Sequence, residues 1–84
     1  MSRGANESEG YYAMADQVTF KELRIRAGFK IAKLAREADI SPSSIYRIEE
    51  GEKVTRELVQ GALNVINDKL RTSYTVEDIA GLNL

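Results

Sequence analysis

The chain has 84 residues, 43% hydrophobic and 30% charged, which is the length and composition of one small globular domain. Cysteine and histidine are absent, which excludes disulfides, thiolate chemistry, zinc ribbons and any catalytic triad that needs histidine. We therefore expect no enzyme, no cofactor and no metal ion. Apolar runs are too short to cross a membrane and residues 1–10 do not resemble a signal peptide, so we expect a cytoplasmic protein.

Charge is distributed unevenly along the chain. The 12 Lys+Arg and 13 Asp+Glu residues give a formal net charge of −1. Residues 18–71 nevertheless hold 11 basic and 8 acidic side chains, whereas residues 1–17 and 72–84 are both acidic. The overall acidity thus conceals a mildly basic central segment, which is compatible with an anionic partner.

Residues 1–17 are predicted to form a flexible N-terminal arm. They are rich in Gly, Ser, Asn and Glu and show no apolar periodicity. The exceptions are Tyr11, Tyr12 and Met14, and the sequence leaves open whether these side chains dock on the domain or on a partner.

A first helix is predicted to begin at Thr19, because Thr19 and Glu22 have the spacing of a capping box. Gly28 supplies the left-handed residue that ends it. Its apolar positions recur at helical spacing: Phe20, Leu23 and Ala27.

Two further short helices follow. The second runs from about Lys30 to Ala38, with an apolar face of Ile31, Leu34, Ala35 and Ala38. The third begins at Ser41-Pro42, where the serine can cap the helix and proline suits the first helical position. It ends at Gly51, and its inner face consists of Ile45 and Ile48.

A longer fourth helix is predicted from Thr55 to Leu70. Its inner stripe comprises Leu58, Ala62, Ile66 and Leu70, broadened by Val59, Leu63 and Val65. Thr75–Asp78 resembles another capping box and predicts one or two more helical turns that end at Gly81. No alternating strand pattern is present, so the expected fold is a compact all-α bundle of four or five helices.

Several apolar residues at the end of the chain have no assigned place in this bundle. They are Val76, Ile79, Leu82 and Leu84. They can either close the core of the domain or form a self-association surface, and the sequence leaves both alternatives open.

The second and third helices, joined by a short turn at Ala38–Ser41, have the helix-turn-helix arrangement. The stretch Leu23–Gly51, LRIRAGFKIAKLAREADISPSSIYRIEEG, resembles the Cro/phage-repressor (XRE) helix-turn-helix family. The matching positions are Leu23-Arg24, Gly28, Leu34-Ala35, Ile40-Ser41, Ile45, Ile48-Glu49 and Gly51. The resemblance extends more loosely through the helix at 55–70. It implies a lambda-repressor-like DNA-binding domain over residues 18–71, followed by a short C-terminal helix or tail over 72–84.

The resemblance also implies sequence-specific binding of double-stranded DNA by a helix lying in the major groove. The chain would then be a small transcriptional regulator, most simply a repressor in a bacterial or phage setting, and it would bind as a homodimer on two half-sites. The implied base-reading residues are Pro42, Ser43, Ser44 and Arg47. For Ser43 and Ser44, the alternative is simple filling of the first helical turn.

Contacts to the DNA backbone are expected on both sides of the reading helix. The candidates are Lys30, Lys33, Tyr46, Lys53 and Arg56. For Tyr46, packing on the surface of the domain is an equal alternative. The resemblance further implies a structural ion pair between Arg24 in the first helix and Glu49 at the end of the reading helix.

The chain departs from the family pattern at three places. Lys30 and Ile31 replace the usual small polar residue and glutamine at the start of the second helix, and Asp39 replaces the usual glycine in the turn. Glu50 and Glu52 place negative charge near the expected DNA path. These two glutamates and the acidic arm favour an alternative function, a protein-interaction module such as an antitoxin or accessory factor. Steep salt dependence of DNA binding would distinguish the two functions.

Overall fold

The computed structural model describes residues 17–84. The predicted arm, with Tyr11, Tyr12 and Met14, therefore lies outside the described residues except for its last position. The elements in chain order are β1 (Val18–Thr19), α1 (Phe20–Arg26), α2 (Ile31–Ala38), α3 (Pro42–Glu49), α4 (Arg56–Leu70), a 3₁₀ turn (Val76–Asp78) and β2 (Ile79–Ala80). The described chain is thus mainly helical, with four α-helices.

The helices begin where the sequence predicts. At α1, the Thr19 N–H donates to Glu22 Oε1 over 2.9 Å, and the Glu22 N–H donates to Thr19 Oγ1 over 3.1 Å, so the capping box is complete. Ser41 and Thr55 cap α3 and α4 by accepting from backbone N–H groups in the first turn of each helix. These caps satisfy donors that would otherwise have no partner.

All four helices end in the same way. In each, a residue with positive φ is followed by one whose N–H donates to the carbonyl five residues earlier, which is the Schellman pattern. The donor and acceptor residues are Phe29 and Arg24, Ile40 and Ala35, Glu52 and Arg47, and Thr72 and Asn67, over 2.9–3.1 Å. The left-handed residues are Gly28, Asp39, Gly51 and Arg71. Asp39, which stands where the family usually has glycine, takes the left-handed conformation with φ 60°.

The core takes side chains from every helix. The most deeply buried are Leu23, Leu34, Ile45, Val59, Leu63 and Ile66. The apolar faces predicted for α1 and α3 are confirmed. The predicted face of α2 is buried at Leu34 and Ala35 and half-buried at Ile31 and Ala38, and the stripe on α4 is rotated. Val59 and Leu63, predicted only to broaden the stripe, are at its centre, whereas Leu58 and Leu70 are half-buried. The cause is that α4 is covered by α1, α2 and the 3₁₀ turn together.

The C-terminal segment differs from the predicted fifth helix. Only a single 3₁₀ turn forms, and β2 then pairs in parallel with β1, with Val18 opposite Ile79 and Thr19 opposite Ala80. The expectation that no strand would form is therefore wrong for these residues. Two-residue strands are too short for alternation to be visible, and their partners lie at opposite ends of the described chain.

The last residues close the core and extend along the loop after α3. Val76 and Ile79 are buried, which decides between the two alternatives for these side chains, whereas Leu84 is 44% exposed. The Val54 N–H donates to the carbonyl of Asn83 over 2.9 Å, and the Asn83 side chain donates to the carbonyl of Gly51 over 3.3 Å. The segment after β2 thus fastens the loop that connects α3 to α4.

The side chain of Asn67 fixes the segment that follows α4. Its side-chain nitrogen donates to the carbonyl of Tyr74 over 2.9 Å. Its side-chain oxygen accepts from the Tyr74 N–H over 2.9 Å and from the Thr72 hydroxyl over 2.8 Å. One side-chain amide therefore pairs both backbone polar groups of Tyr74 and also binds the Thr72 hydroxyl.

We expect Asn67→Ala to lower the free energy of unfolding by about 2 kcal/mol, because it leaves the half-buried Tyr74 backbone without partners. The matched control is Asn64→Ala, in the same helix, where the side chain only accepts from Gln60 at the surface. The control should cost less than about 0.5 kcal/mol. Urea unfolding of both variants measures the difference, and equal losses would contradict the role given to Asn67.

Candidate nucleic-acid interface

The helix pair α2–α3 is joined by a three-residue turn, Asp39 to Ser41. The left-handed Asp39 ends α2, and the Ile40 N–H donates back to the carbonyl of Ala35 over 2.9 Å. The two helices pack against each other, and Ile45 and Ile48 of α3 are buried in the shared core. Burial on this side fixes which face of α3 remains open to solvent.

The open face of α3 presents polar and aromatic side chains at helical spacing. Ser43 and Arg47 are four residues apart and both exposed, as are Tyr46 and Glu50. Tyr46 is 54% exposed, which is more than expected for an aromatic side chain packed on the surface of the domain. A helix with one buried and one polar face of this kind can enter a groove without disturbing the core.

Three serine hydroxyls cluster at the first turn of α3. Ser41 Oγ lies 3.0 Å from Ser43 Oγ and 3.0 Å from Ser44 Oγ, and it accepts from the Ser44 N–H over 3.3 Å. Ser43 is exposed and Ser44 is half-buried. The contacts favour the alternative in which these serines fill the first turn, although each hydroxyl keeps capacity for a further hydrogen bond.

Arg47 lies back along the loop that follows its own helix. One terminal nitrogen of the guanidinium donates to the carbonyl of Lys53 over 3.4 Å, which is a long and weak hydrogen bond. Arg47 and Lys53 also line an open cavity of about 410 Å³ whose apolar side chains are Val54, Leu58 and Leu84. Because the bond is weak and exposed, the guanidinium can be redirected toward a ligand at little cost.

Two of the candidate backbone contacts are paired with acids. Lys33 Nζ lies 3.7 Å from Glu37, one turn further along α2, and Arg56 forms an ion pair with Glu77. All four side chains are about half or more exposed, so each pair contributes little to stability. Lys53 is exposed, and so is Lys30, which occupies the N-cap position of α2 without capping it through its side chain.

The structure brings Arg24 and Glu49 together in the interior. Arg24 Nε donates to Glu49 Oε2 over 2.5 Å and its Nη2 donates to Oε1 over 3.3 Å, so the contact is bidentate. A third donor, Nη1, bonds the carbonyl of Phe29 over 3.0 Å. The two side chains are only 10% and 7% exposed. The pair therefore links α1, the loop after it and the end of α3.

The sequence matches a known protein family. A family model described as a helix-turn-helix domain, of the XRE/Cro-like type, matches residues 18–67, more than half of the chain. The chain belongs to this helix-turn-helix family. Membership indicates DNA binding and a role in transcription regulation. Comparison with curated proteins and with solved structures gave no significant match.

Residues 17–84 lack two further kinds of feature. No helix there is long and apolar enough to cross a membrane. The same residues contain no cluster of acidic side chains arranged to hold a metal ion.

The role of Phe29 was not predicted from the sequence. Its ring is buried, its carbonyl accepts from Arg24, and Lys69 lies over the ring at 5.2 Å from the centroid. A signal was available, because an apolar residue directly after a left-handed glycine cap commonly packs back on its helix. The position of Lys69, by contrast, depends on the packing of α4 and leaves no local pattern.

We expect Glu49→Ala to lower the free energy of unfolding by about 3 kcal/mol or more, because it leaves the Arg24 guanidinium buried without its counter-charge. Glu37→Ala is the matched control, since it removes the exposed partner of Lys33 from a helix position of similar type. Its loss should stay below about 0.5 kcal/mol. Chemical unfolding monitored by circular dichroism measures both, and a surface-like loss for Glu49→Ala would refute the structural role of the pair.

Proposed function

We propose that this protein is a sequence-specific regulator of transcription, a repressor, that inserts α3 into the major groove of double-stranded DNA. The observation that supports this most directly is the open face of α3, which lies opposite the buried Ile45 and Ile48 in a helix-turn-helix unit. The major groove is wide enough for one helix, so an exposed polar helix face of this kind suits it.

Arg47 is the residue proposed to read a base. Its guanidinium can donate two hydrogen bonds to O6 and N7 of guanine, which is worth about 1–3 kcal/mol of discrimination against other bases. Pro42, Ser43 and Ser44 approach the bases at the first turn of α3, and they contribute less specificity because they are small. The weak bond from Arg47 to Lys53 is exchanged for the base contact.

Contacts to phosphates are proposed for Lys30, Lys33, Tyr46, Lys53 and Arg56. Lys30 stands at the N-terminus of α2, where helix N–H groups add to the attraction for an anion. Tyr46 is exposed beside Arg47 and reaches a sugar–phosphate strand from the same helix. These contacts position the reading helix and are independent of base sequence.

The assembly proposed on DNA is a homodimer in which each copy supplies one α3 to a half-site, because one reading helix covers little DNA. The Arg24–Glu49 pair serves this function by fixing α3 relative to α1. We assign DNA binding to residues 18–71, onto which residues 72–84 pack.

An alternative function on the same scaffold is binding a protein partner, as an antitoxin or accessory factor does. Exposed Glu50 and Glu52 favour it, because they follow α3 directly and repel phosphates. The ion pairs of Lys33 and Arg56 also lessen the positive charge available to DNA. The salt dependence of DNA binding separates this function from the first.

The deciding experiment is selection from a random duplex-DNA pool near physiological salt, with Arg47→Ala and Arg47→Lys run beside the wild type. We expect an enriched inverted repeat for the wild type and the loss of preference at one position of each half-site for both variants. Arg47→Lys keeps the charge and loses the planar fork, so it separates base reading from simple attraction. Absence of enrichment, or enrichment unchanged by both substitutions, would move the assignment to a protein partner.

We expect Lys53→Gln to weaken binding to all DNA sequences alike and to reduce the slope of log affinity against log salt by about one, because one phosphate contact is lost. Lys21→Gln, on the exposed side of α1, removes the same charge outside the proposed contacts. Titration of labelled duplex at several salt concentrations measures both slopes. Equal slopes for the two variants would contradict a direct contact by Lys53.

A further inference from the structure

The ion pair between Arg56 and Glu77 joins two elements that are far apart in the sequence. Arg56 is the first residue of α4, directly after the Thr55 cap, and Glu77 is in the middle of the 3₁₀ turn. The Nη1 of Arg56 donates to Glu77 Oε2, and both side chains are more than half exposed. The Arg56 guanidinium is therefore accessible to solvent and to another anion while it is paired with Glu77.

Glu77 is held in this place by its neighbours. Val76 and Ile79 on either side are buried in the core. The turn is also closed by the Thr75 N–H, which donates to Asp78 Oδ2 over 2.9 Å. The backbone that carries Glu77 is therefore fixed beside α4, with the carboxylate within reach of Arg56.

The hydrogen bond from Arg56, assisted by one from a backbone N–H, lowers the pKa of the Glu77 carboxyl. The group is therefore fully ionised at neutral pH. A carboxylate and a phosphate both bind a guanidinium through charged oxygen acceptors. Because the two anions repel each other, they do not readily bind the same guanidinium simultaneously.

We propose that Glu77 is an internal competitor of DNA: it occupies Arg56 in the free protein and must be displaced when Arg56 contacts a phosphate. The competition lowers affinity for every sequence equally, since phosphate contacts carry no base information. The ratio of specific to non-specific affinity therefore stays the same, and Glu77 sets the overall strength of DNA binding. The inference rests on the proposed function, in which Arg56 is a phosphate contact.

The test is a double-mutant cycle that measures affinity for a labelled duplex of mixed sequence at low salt. We expect Glu77→Gln to tighten binding about two- to fivefold, the range of an exposed ion pair. In an Arg56→Gln background the same substitution should produce no gain, because its target is gone. Circular dichroism confirms that each variant keeps its helix content.

Glu57→Gln is the matched control. Glu57 also carries one negative charge and follows Arg56 in α4, and no ion pair between them is found among residues 17–84. Any gain from Glu57→Gln should persist in the Arg56→Gln background, as expected of a general charge effect.

The outcomes separate the two levels of the proposal. A gain from Glu77→Gln that is equal in both backgrounds, no gain, or weaker binding overturns the competition while leaving DNA binding intact. Failure of the wild type to bind duplex DNA at low salt overturns the proposed function and the competition with it. A gain that vanishes with Arg56 supports both.

Discussion

The orientation of α3 depends on a guanidinium that is taken out of water. Arg24 is 8% exposed, and its three bonds reach both oxygens of Glu49 and the carbonyl of Phe29. Its charge is stable in the interior only because these acceptors surround it. The pairing also constrains α3, because the end of α3 cannot turn away from α1 without leaving a buried charge unpaired. Apolar packing alone would allow small rotations of α3 at little cost in free energy, whereas the ion pair opposes these rotations.

The surface around α3 is electrostatically mixed. Residues 18–71 have more basic than acidic side chains, and some of these basic side chains have an acidic neighbour while others do not. Glu37 and Glu77 neutralise two of the candidate contacts, and Glu50 and Glu52 lie just beyond the reading helix. On the proposed function, such a surface gives modest general attraction to DNA and leaves discrimination to a few contacts. The same mixture of charges also suits a protein partner.

The sequence predicted the helices well because their ends depend on local chemistry. Thr19, Ser41 and Thr55 cap helices through their own side chains, and Asp39 accepts the left-handed conformation that the turn needs. The rotation of the α4 stripe and the pairing of β1 with β2 could not be predicted in this way. Both depend on which elements cover a given face, and that information is distributed over the whole chain.

The candidate site likewise has features that the sequence predicts and features that it does not. The positions on the open face of α3 follow from helical periodicity and were available from the sequence. The partners of Arg47 and Arg56 were not, because they depend on the paths of the loop after α3 and of the C-terminal segment, whereas the pair of Lys33 with Glu37 is local to α2. Glu77 illustrates this, since its contact with Arg56 exists only after the 3₁₀ turn has docked on α4.

The parallel pairing of β1 with β2 has a consequence for how the molecule folds. Contacts among α1, α2 and α3 are close in sequence and can form early, whereas β2 must find a strand at the other end of the described chain. We therefore expect the C-terminal segment to dock last. The loop after α3 then takes its final conformation only when residues 79–83 are available to pair with β1 and with Val54.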